Sequence, residues 1–402
     1  MEPTEKILPR EDALRIAHAL QYVNPDAART AVAMGSLDAL LACPEQELLA
    51  LEGLGPVTVT KLRRARGMEV DRIEEDLQRR GIIALVRGHP GYPFLLGQAA
   101  PGAAPLVLYV KGHPGALSVD GVAIVGTRRP SPFGQRFAAA LGRDVARQEM
   151  AVVSGLAYGI DAAAHRGCLE GEGTTVGVLA HGLHTVQPGR NRALARRILE
   201  SGGALVSEYP PGVAASKKTF VPRNRIIAWL TAATVVVEGR ETSGARHTAE
   251  YAMEADRTVL AVPGRPDDPL AGLPNRLLRE DGAAVCRHSA DLLATVDPRF
   301  ARGVERALRA RAMLLKQRAL EALEVLGPDA HSIMGRLDGD PHHVDELARW
   351  TRLPVQRVLE LLLHMELEGL VEQIPGMRYI ANLDTSDLSM QRGGYPRKRG
   401  EG

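Results

Sequence analysis

Short apolar runs alternate with longer segments of helical periodicity between residues 82 and 297. Strands separated by helices of this length indicate βαβ units with right-handed crossovers. The pattern therefore predicts an α/β domain built on a mostly parallel sheet. The runs that have the length and composition of buried strands are 122–125, 151–155, 175–179, 204–207, 234–237, 259–262 and 283–286.

Helical periodicity without strand-like runs marks residues 1–80, which predicts a separate helical domain. Within it, Gly53 and Gly55 join two short helices, and Lys61 and three arginines follow. This arrangement is similar to a helix-hairpin-helix or to a sterile-alpha-motif (SAM) domain. Glycines in such a turn allow close approach of the backbone to a phosphate. Two interpretations stay open: a DNA-contacting hairpin, or a turn within a small helical bundle.

The C-terminal part divides into three predicted segments. Residues 298–319 read as a basic helical linker, and residues 320–382 read as a winged helix with three helices and a two-strand wing. Its second helix carries Gln356 and Arg357 beside Glu360, so that duplex DNA binding and protein contact both remain possible roles. The polar, basic tail at 383–402 is expected to be disordered.

Composition narrows the class of protein. A length of 402 residues predicts several domains, and a net charge of only +2 means that any affinity for nucleic acid must come from local basic patches. The three cysteines form no CxxC pair, which argues against a zinc site or a disulfide framework and fits a reducing cytoplasm. No apolar run reaches membrane-spanning length, so we expect a cytoplasmic protein without membrane insertion.

The stretch VAIVGTRRPSPFG at 122–134 reads as a strand, a tight turn and a helix that begins at Ser131-Pro132. In an open α/β sheet such a turn lies at the carboxyl ends of the strands, where ligands bind. Arg128, Arg129 and the amides of the helix start all favour an anion, and we expect a phosphate.

The residues at the ends of the other predicted strands also favour phosphate binding. Each strand end carries a glycine or a small hydroxyl residue, such as Ser154-Gly155 or Glu238-Gly239. Glycines with positive φ would turn backbone amides toward a shared phosphate-lined groove. No GxGxxG follows the first strand and no GxxxxGK[ST] occurs, which disfavours a dinucleotide oxidoreductase and a P-loop ATPase.

The segment SKKTFVPRNR at 216–225 combines a lysine pair, an isolated Phe220, and Arg223 and Arg225 at the start of a helix predicted around 224–230. Cations beside an aromatic ring suit single-stranded nucleic acid, because they supply charge for the backbone and a face for base stacking. The alternative is that Phe220 belongs to the core and that at least one arginine forms an ion pair with Glu208 or Glu238.

Asp161 and His165 lie four residues apart on one predicted helix. No second pair of suitable spacing follows, so we interpret them as a helix-start carboxylate and a hydrogen-bonded histidine rather than metal ligands. The sequence supports no set of nucleophile, base and orienting group, and we expect no catalytic residues, no metal and no cofactor.

Seven blocks in order carry a resemblance to a known family: IVGTRRPSPFG, VVSGLAYGIDAAAH, TVGVLAHGL, LVSEYPPG, TFVPRNRIIAWL, VVVEGRETSGARHTAEYA and VLAVPG. They resemble the DprA (Smf) DNA-processing family of bacteria over essentially the whole central domain. The resemblance implies an extended Rossmann-like, doubly wound core that binds single-stranded DNA, forms a homodimer and loads the RecA recombinase during natural transformation.

The resemblance also implies which residues contact DNA. Gly155 would offer a backbone amide, and Arg190 would supply a basic contact where the family often has Tyr-Pro. The remaining expected contacts are Arg128, Ser131, Lys217, Lys218, Phe220, Arg223, Asn224 and Arg225.

The resemblance thus implies a non-enzymatic protein that protects incoming single strands and loads RecA onto them in natural transformation and DNA recombination. The end domains could add contacts to duplex DNA. One alternative is a Rossmann-like enzyme acting on a nucleotide or small phosphorylated ligand, with Glu238 or Glu208 as its acid. A third hypothesis is a duplex-binding regulator that acts through the winged helix.

Overall fold

The structure is a computed structural model that describes residues 7–21, 25–51, 53–99, 103–296, 317, 319–337 and 340–381. It divides into two compact units, Met1–Ala301 and Arg302–Gly402. The predicted tail at 383–402 lies outside the described residues, as does the predicted linker at 298–319 apart from residues 317 and 319. None of the helices described in these ranges is both long and apolar enough to cross a membrane.

Six helices begin the first unit, and their apolar faces share one core with the first two strands of the sheet. Leu14, Leu62 and Tyr109 are all buried in this core. The helices are α1 (Arg10–Leu20), α2 (Pro25–Met34), α3 (Leu37–Leu41), α4 (Glu45–Ala50), α5 (Pro56–Ala65) and α6 (Val70–Arg79).

The glycine turn between α4 and α5 is present, but the cations after it are used inside the helical segment. Arg63 pairs with Glu45 at 2.9 Å and Arg66 with Asp38 at 3.0 Å. The Lys61 ammonium donates to the Leu20 carbonyl at 3.3 Å. Since three of the four cations have protein partners, and only the exposed Arg64 shows none among the described residues, the geometry favours the turn of a helical bundle over a DNA-contacting hairpin.

Nine strands form the main sheet, in the order β1-β2-β6-β5-β4-β3-β7-β8-β9. From β6 through β9 all neighbours are parallel, whereas β1 and β2 pair antiparallel with each other and β2 pairs antiparallel with β6. This confirms the predicted α/β fold and adds two antiparallel strands at one side of the sheet that the apolar pattern had not singled out. The strands are β1 (Ile82–Val86), β2 (Val107–Gly112), β3 (Gly121–Val125), β4 (Ala151–Ser154), β5 (Thr175–Val178), β6 (Ala204–Ser207), β7 (Ala233–Val236), β8 (Thr258–Ala261) and β9 (Ala284–Val285).

The strand order reverses between β3 and β7, which are neighbours. The chain runs from β3 outward through β4, β5 and β6 on one side, then returns to β7 and continues outward through β8 and β9. At such a switch point the connections leave in opposite directions, and a crevice opens at the carboxyl ends of the two strands.

The helices predicted between the strands are present, although one begins earlier than predicted, and the structure adds three helices that the sequence had not singled out. Helix α11 begins at Lys217, seven residues before the predicted start at Asn224. The start is fixed by Ser216, whose amide donates to the Thr219 hydroxyl at 3.0 Å, and Pro222 lies inside the helix. The helices are α7 (Phe94–Gly97), α8 (Pro132–Ala146), α9 (Ile160–Glu170), α10 (Arg192–Glu200), α11 (Lys217–Trp229), α12 (Ala245–Glu254), α13 (Gly272–Glu280) and α14 (Ser289–Val296).

Within its described residues, the second unit packs three helices of defined bounds and the helical residues 319–326 against a three-stranded sheet, which confirms the predicted winged helix and adds one short strand. On its longest helix, α17, the Arg357 guanidinium pairs with Glu360 at 2.9 Å and Asp329 at 3.4 Å. The one basic side chain expected to face DNA from this helix is therefore neutralised. The elements are α15 (Pro328–Met334), β10 (His342–His343), α16 (Val344–Thr351), α17 (Val355–Leu367), β11 (Val371–Ile374) and β12 (Arg378–Ala381).

Candidate nucleic-acid interface

The crevice at the ends of β3 and β7 opens into a cavity of about 970 Å³, which we call the switch-point cavity. Its walls are the turn after β3, the connection from β4 into α9, the first turns of α11 and α12, and the loops that follow β7 and β8. The lining residues are Val125, Gly126, Thr127, Arg128, Arg129, Ala157, Asp161, Phe220, Val221, Arg223, Asn224, Ile227, Arg240, Ser243, Gly244, Ala245, Thr248, Asp268, Pro269 and Leu270.

Arg128 and Phe220 meet in this cavity although they come from separate motifs. The guanidinium carbon of Arg128 lies 5.1 Å from the centre of the Phe220 ring, within range of a cation–π contact. Arg128 is exposed and Phe220 is only half-buried, so Phe220 is not a core residue. The structure thus brings together a cation and an aromatic face that the sequence had placed 92 positions apart.

Lys217 and Lys218 lie in the first turn of α11, beside this pair in sequence. Both side chains are exposed, and their ammonium groups form no ion pair with any residue that the structure describes. Arg190 is exposed in the short 3-10 helix Gly189–Asn191 that leads into α10, but it is not among the residues that line the cavity.

Two arginines of the cavity were missed as site residues. Arg129 was expected, together with Arg128, to favour an anion at the turn after β3 but was not named among the DNA contacts, and Arg240 was not noticed. Both are exposed. The signal for Arg240 was available, because it follows Glu238-Gly239 at the end of β7 and strand ends at a switch point carry ligand-binding residues.

Arg223 lies inside the protein. Its Nη1 donates to the Gly155 carbonyl at 2.8 Å and to the Val178 carbonyl, which joins the carboxyl ends of β4 and β5. Burial lowers the pKa of Arg223 to about 10, and the nearby Asp161 carboxylate opposes that shift. Its guanidinium is therefore part of the frame beneath the cavity, with only 5% of the residue exposed.

Arg225 forms a buried bidentate ion pair with Glu208, at 2.6 Å and 3.1 Å. The alternative interpretation is therefore right about the ion pair, and of its two possible partners the structure shows Glu208. Asn224, between them, is half-buried in the cavity wall, and its amide donates to the Gly244 carbonyl at 3.2 Å. Arg223 and Asn224 both line the cavity, but Arg223 is buried whereas Asn224 is partly exposed and uncharged.

The glycines at the strand ends serve close packing rather than unusual backbone angles. None of Gly126, Gly155, Gly182, Gly239 and Gly264 has a positive φ, which corrects the expectation for this groove. A Cβ atom on Gly126 would lie 2.7 Å from the Glu238 carbonyl oxygen. The amide of Gly155, expected to face phosphate, instead donates to the Asp161 carboxylate at 3.1 Å.

The anion expected at the start of α8 is present, but the protein itself supplies it. Ser131 is the N-cap residue of α8, as predicted, and its hydroxyl accepts from the Gly134 amide at 3.1 Å. The Glu238 carboxylate then accepts from the Ser131 amide at 2.9 Å and from its hydroxyl at 2.5 Å. Ser131 is therefore bound within the protein and does not present a free hydroxyl to the cavity.

Asp161 and His165 are both buried, and neither is arranged as a metal ligand. The Nδ1 atom of His165 lies 2.7 Å from the Thr175 hydroxyl, which confirms the interpretation as a hydrogen-bonded histidine. Within the described ranges, no three histidine, cysteine or acidic side chains lie close enough together to hold a metal ion.

We predict that His165 makes the first unit sensitive to acid. Burial lowers the pKa of His165 to about 3, so the unfolded chain binds the proton first as the pH falls below about 6.5. Stability is then lost between about pH 6.5 and pH 3, by up to about 1.4 kcal/mol per pH unit. Urea denaturation of His165→Asn across this range should give a shallower dependence on pH. The exposed His113→Asn is the control, and an equal slope in both variants would refute the assignment.

Comparison with known proteins gives the same architecture. Residues 84–297 match the family described as DNA recombination-mediator protein A, and residues 317–377 match the DprA winged helix domain. The chain is 34% identical over 354 residues to Protein Smf of Synechocystis, covering 82% of this chain and 88% of that one. It is 36% identical over 320 residues to the putative DNA processing protein DprA of Mycobacterium tuberculosis, covering 76% and 79%.

Among solved structures, the chain is similar to DNA processing protein A (DprA) from Streptococcus pneumoniae, with a TM-score of 0.60 and 26% identity. The match covers 72% of this chain and 98% of that one. Because the family match spans more than half of the sequence and the relatives align along most of both chains, the chain belongs to the DNA recombination-mediator protein A (DprA/Smf) family of DNA-processing proteins.

Proposed function

We propose that the switch-point cavity binds single-stranded DNA. The observation that carries this proposal is the contact between Arg128 and the Phe220 ring, in a cavity that two further exposed arginines, Arg129 and Arg240, also line. A flexible single strand offers phosphates to the guanidinium groups and unstacked bases to the ring. Lys217 and Lys218 extend the positive charge along the first turn of α11.

The acidic residues around the cavity favour a site that binds a DNA strand over one that cleaves a nucleotide. Both carboxylates suspected of acid catalysis have protein partners: Glu238 binds Ser131, and Glu208 binds Arg225. The start of α8, where a small phosphorylated ligand would bind in many nucleotide-binding folds, holds the Glu238 carboxylate. We therefore propose a binding function without catalysis and without a cofactor.

We assign different roles to the residues that the sequence had grouped together. We propose that Arg128, Lys217, Lys218 and Phe220 contact the strand, together with Arg129 and Arg240, and that Asn224 and Arg190 lie along its path. Ser131, Gly155, Arg223 and Arg225 hold the frame of the cavity through the protein contacts described above.

From the family resemblance we further propose that the protein acts in the cytoplasm as a homodimer and loads RecA onto the bound strand, in transformation and recombination. We keep the proposed division into a helical segment at 1–80, a DNA-binding domain at 82–297, a linker at 298–319 and a winged helix at 320–382. Because Arg357 is neutralised by Glu360 and Asp329, we place single-strand binding in the central domain.

A salt series with labelled oligo-dT tests the proposal. For single strands, the slope of log K against log salt changes by about 0.7 for each phosphate neutralised. We expect Arg128→Ala to weaken binding and to make the slope shallower by about that amount. We expect Phe220→Ala to weaken binding roughly tenfold at an unchanged slope, because a base loses its stacking partner but no charge is removed.

Arg147→Ala is the matched control, because Arg147 is an exposed arginine that follows the far end of α8 and pairs with Asp144. It should leave both the affinity and the slope close to those of the wild type. The proposal fails if Arg128→Ala and Phe220→Ala behave like this control.

A further inference from the structure

Glu238 binds both ends of the segment that carries Arg128 and Arg129. It follows β7, directly opposite the turn after β3, and is only 6% exposed. Its main-chain carbonyl accepts from the Thr127 amide at 2.7 Å. Its carboxylate accepts from the Ser131 amide at 2.9 Å and from the Ser131 hydroxyl at 2.5 Å. One residue thus holds the backbone on either side of the two arginines.

The carboxylate also fills the space at the start of α8. A Cβ atom on Gly134 would lie 2.3 Å from the carboxyl carbon of Glu238, so only glycine leaves room for the carboxylate there. The start of a helix attracts anions through its free amides and its dipole. With Glu238 in place, a phosphate approaching this point meets a negative charge and no open space.

We propose that Glu238 is a positioning and specificity-determining residue of the switch-point cavity. It holds Arg128 and Arg129 outward for the phosphates of a strand, and it excludes the phosphates of free nucleotides from the start of α8. This inference rests on the proposed function, since it concerns how the same cavity distinguishes a polynucleotide from a mononucleotide.

The outward arginines and the occupied helix start both favour binding of a polynucleotide over binding of a mononucleotide. A polynucleotide gains affinity from several phosphates that reach the exposed arginines at once. A mononucleotide has one cluster of phosphates, and the best place for that cluster in an α/β fold of this kind is already taken. Discrimination then follows from the protein's own carboxylate and needs no recognition of the base.

The test compares Glu238→Ala and Glu238→Gln with the wild type, using two probes: inorganic pyrophosphate and labelled oligo-dT. Glu241→Gln is the matched control, because it removes one exposed negative charge three residues further along the same loop. We expect Glu238→Ala to bind pyrophosphate about tenfold more tightly than the wild type, because the substitution removes a negative charge and opens space at a partly buried helix start. Glu241→Gln should not gain this affinity.

The second readout is a double-mutant cycle between Glu238→Ala and Arg128→Ala, measured as oligo-dT affinity. If Glu238 positions Arg128, losing both should cost less than the two single losses combined, by about threefold or more. A merely structural loss of stability would not produce this coupling. The proposal is overturned if pyrophosphate affinity does not rise and the two substitutions are additive.

If Glu238→Ala does not fold, the Glu238→Gln variant tests the proposed role of Glu238. It keeps the shape of the side chain and removes the charge, so pyrophosphate should compete with oligo-dT at a concentration about threefold lower than for the wild type. An unchanged competition curve refutes the inference. Failure of the proposed function is recognised separately, because the wild type would then not bind oligo-dT, whatever the pyrophosphate result.

Discussion

Replacing Arg128, Arg129 and Arg240 together by alanine is expected to lower the affinity for oligo-dT by roughly a hundredfold at low salt. All three side chains are exposed and line the switch-point cavity. If each neutralises one phosphate, the slope of log K against log salt should become shallower by about 2. Fluorescence anisotropy with labelled oligo-dT over a range of salt concentrations measures both quantities.

A second triple variant controls for the loss of three charges. Arg79, Arg147 and Arg196 are exposed arginines in surface ion pairs, and none of them lines the cavity. Replacing these three by alanine lowers the net charge by the same amount as the first triple variant does. The affinity for oligo-dT should fall in this control only if binding depends on the general charge of the protein. Equal losses in the two triple variants would contradict a localised site.

Glu208→Ala is expected to destabilise the first unit by about 3–5 kcal/mol, since it leaves the Arg225 charge buried without its partner. Only 6% of the Glu208 side chain and 7% of the Arg225 side chain are exposed. The melting temperature should fall by roughly 10 °C, and denaturant titration gives the free energy of unfolding directly. Oligo-dT affinity should also fall, because the ion pair fastens α11 to the end of β6.

The control for this loss is Glu200→Ala, which removes the partner of Arg196 in an exposed pair at 3.6 Å. Exposed pairs contribute about 1 kcal/mol or less, so this variant should be nearly as stable as the wild type. Replacing Glu208 and Arg225 together by leucine and methionine should restore much of the lost stability, because no charge is then left buried. A Glu208→Ala variant no less stable than Glu200→Ala would refute the assignment.

The sheet could be predicted from the sequence because parallel strands buried on both faces are almost continuous apolar runs. The order of the strands could not, since nothing in the runs themselves says which neighbours they have. That order is what places Arg128 beside Phe220 and Glu238 beside Ser131. The residue types of the site were therefore recognisable, whereas their partners were not.

Arg223 shows a second limit of sequence reasoning. Its charge suggested a DNA contact, but the orientation of a helical side chain depends on where the helix begins. Once α11 begins at Lys217, Thr219, Arg223 and Ile226 fall on one buried face at spacings of four and three residues. With the start misplaced at Asn224, this periodicity was hidden, and the lysines and Phe220 seemed to belong to a loop.

The contact between Arg128 and Phe220 has a consequence for the entropy of binding. Long and aromatic side chains lose rotamer freedom when a ligand orders them, at about 0.5–1.5 kcal/mol for each one immobilised. Here the guanidinium already lies over the ring in the free protein, 5.1 Å from its centre. The Phe220 ring and the Arg128 guanidinium are thus ordered before a base binds. Much of the loss of side-chain entropy therefore occurs during folding rather than during binding.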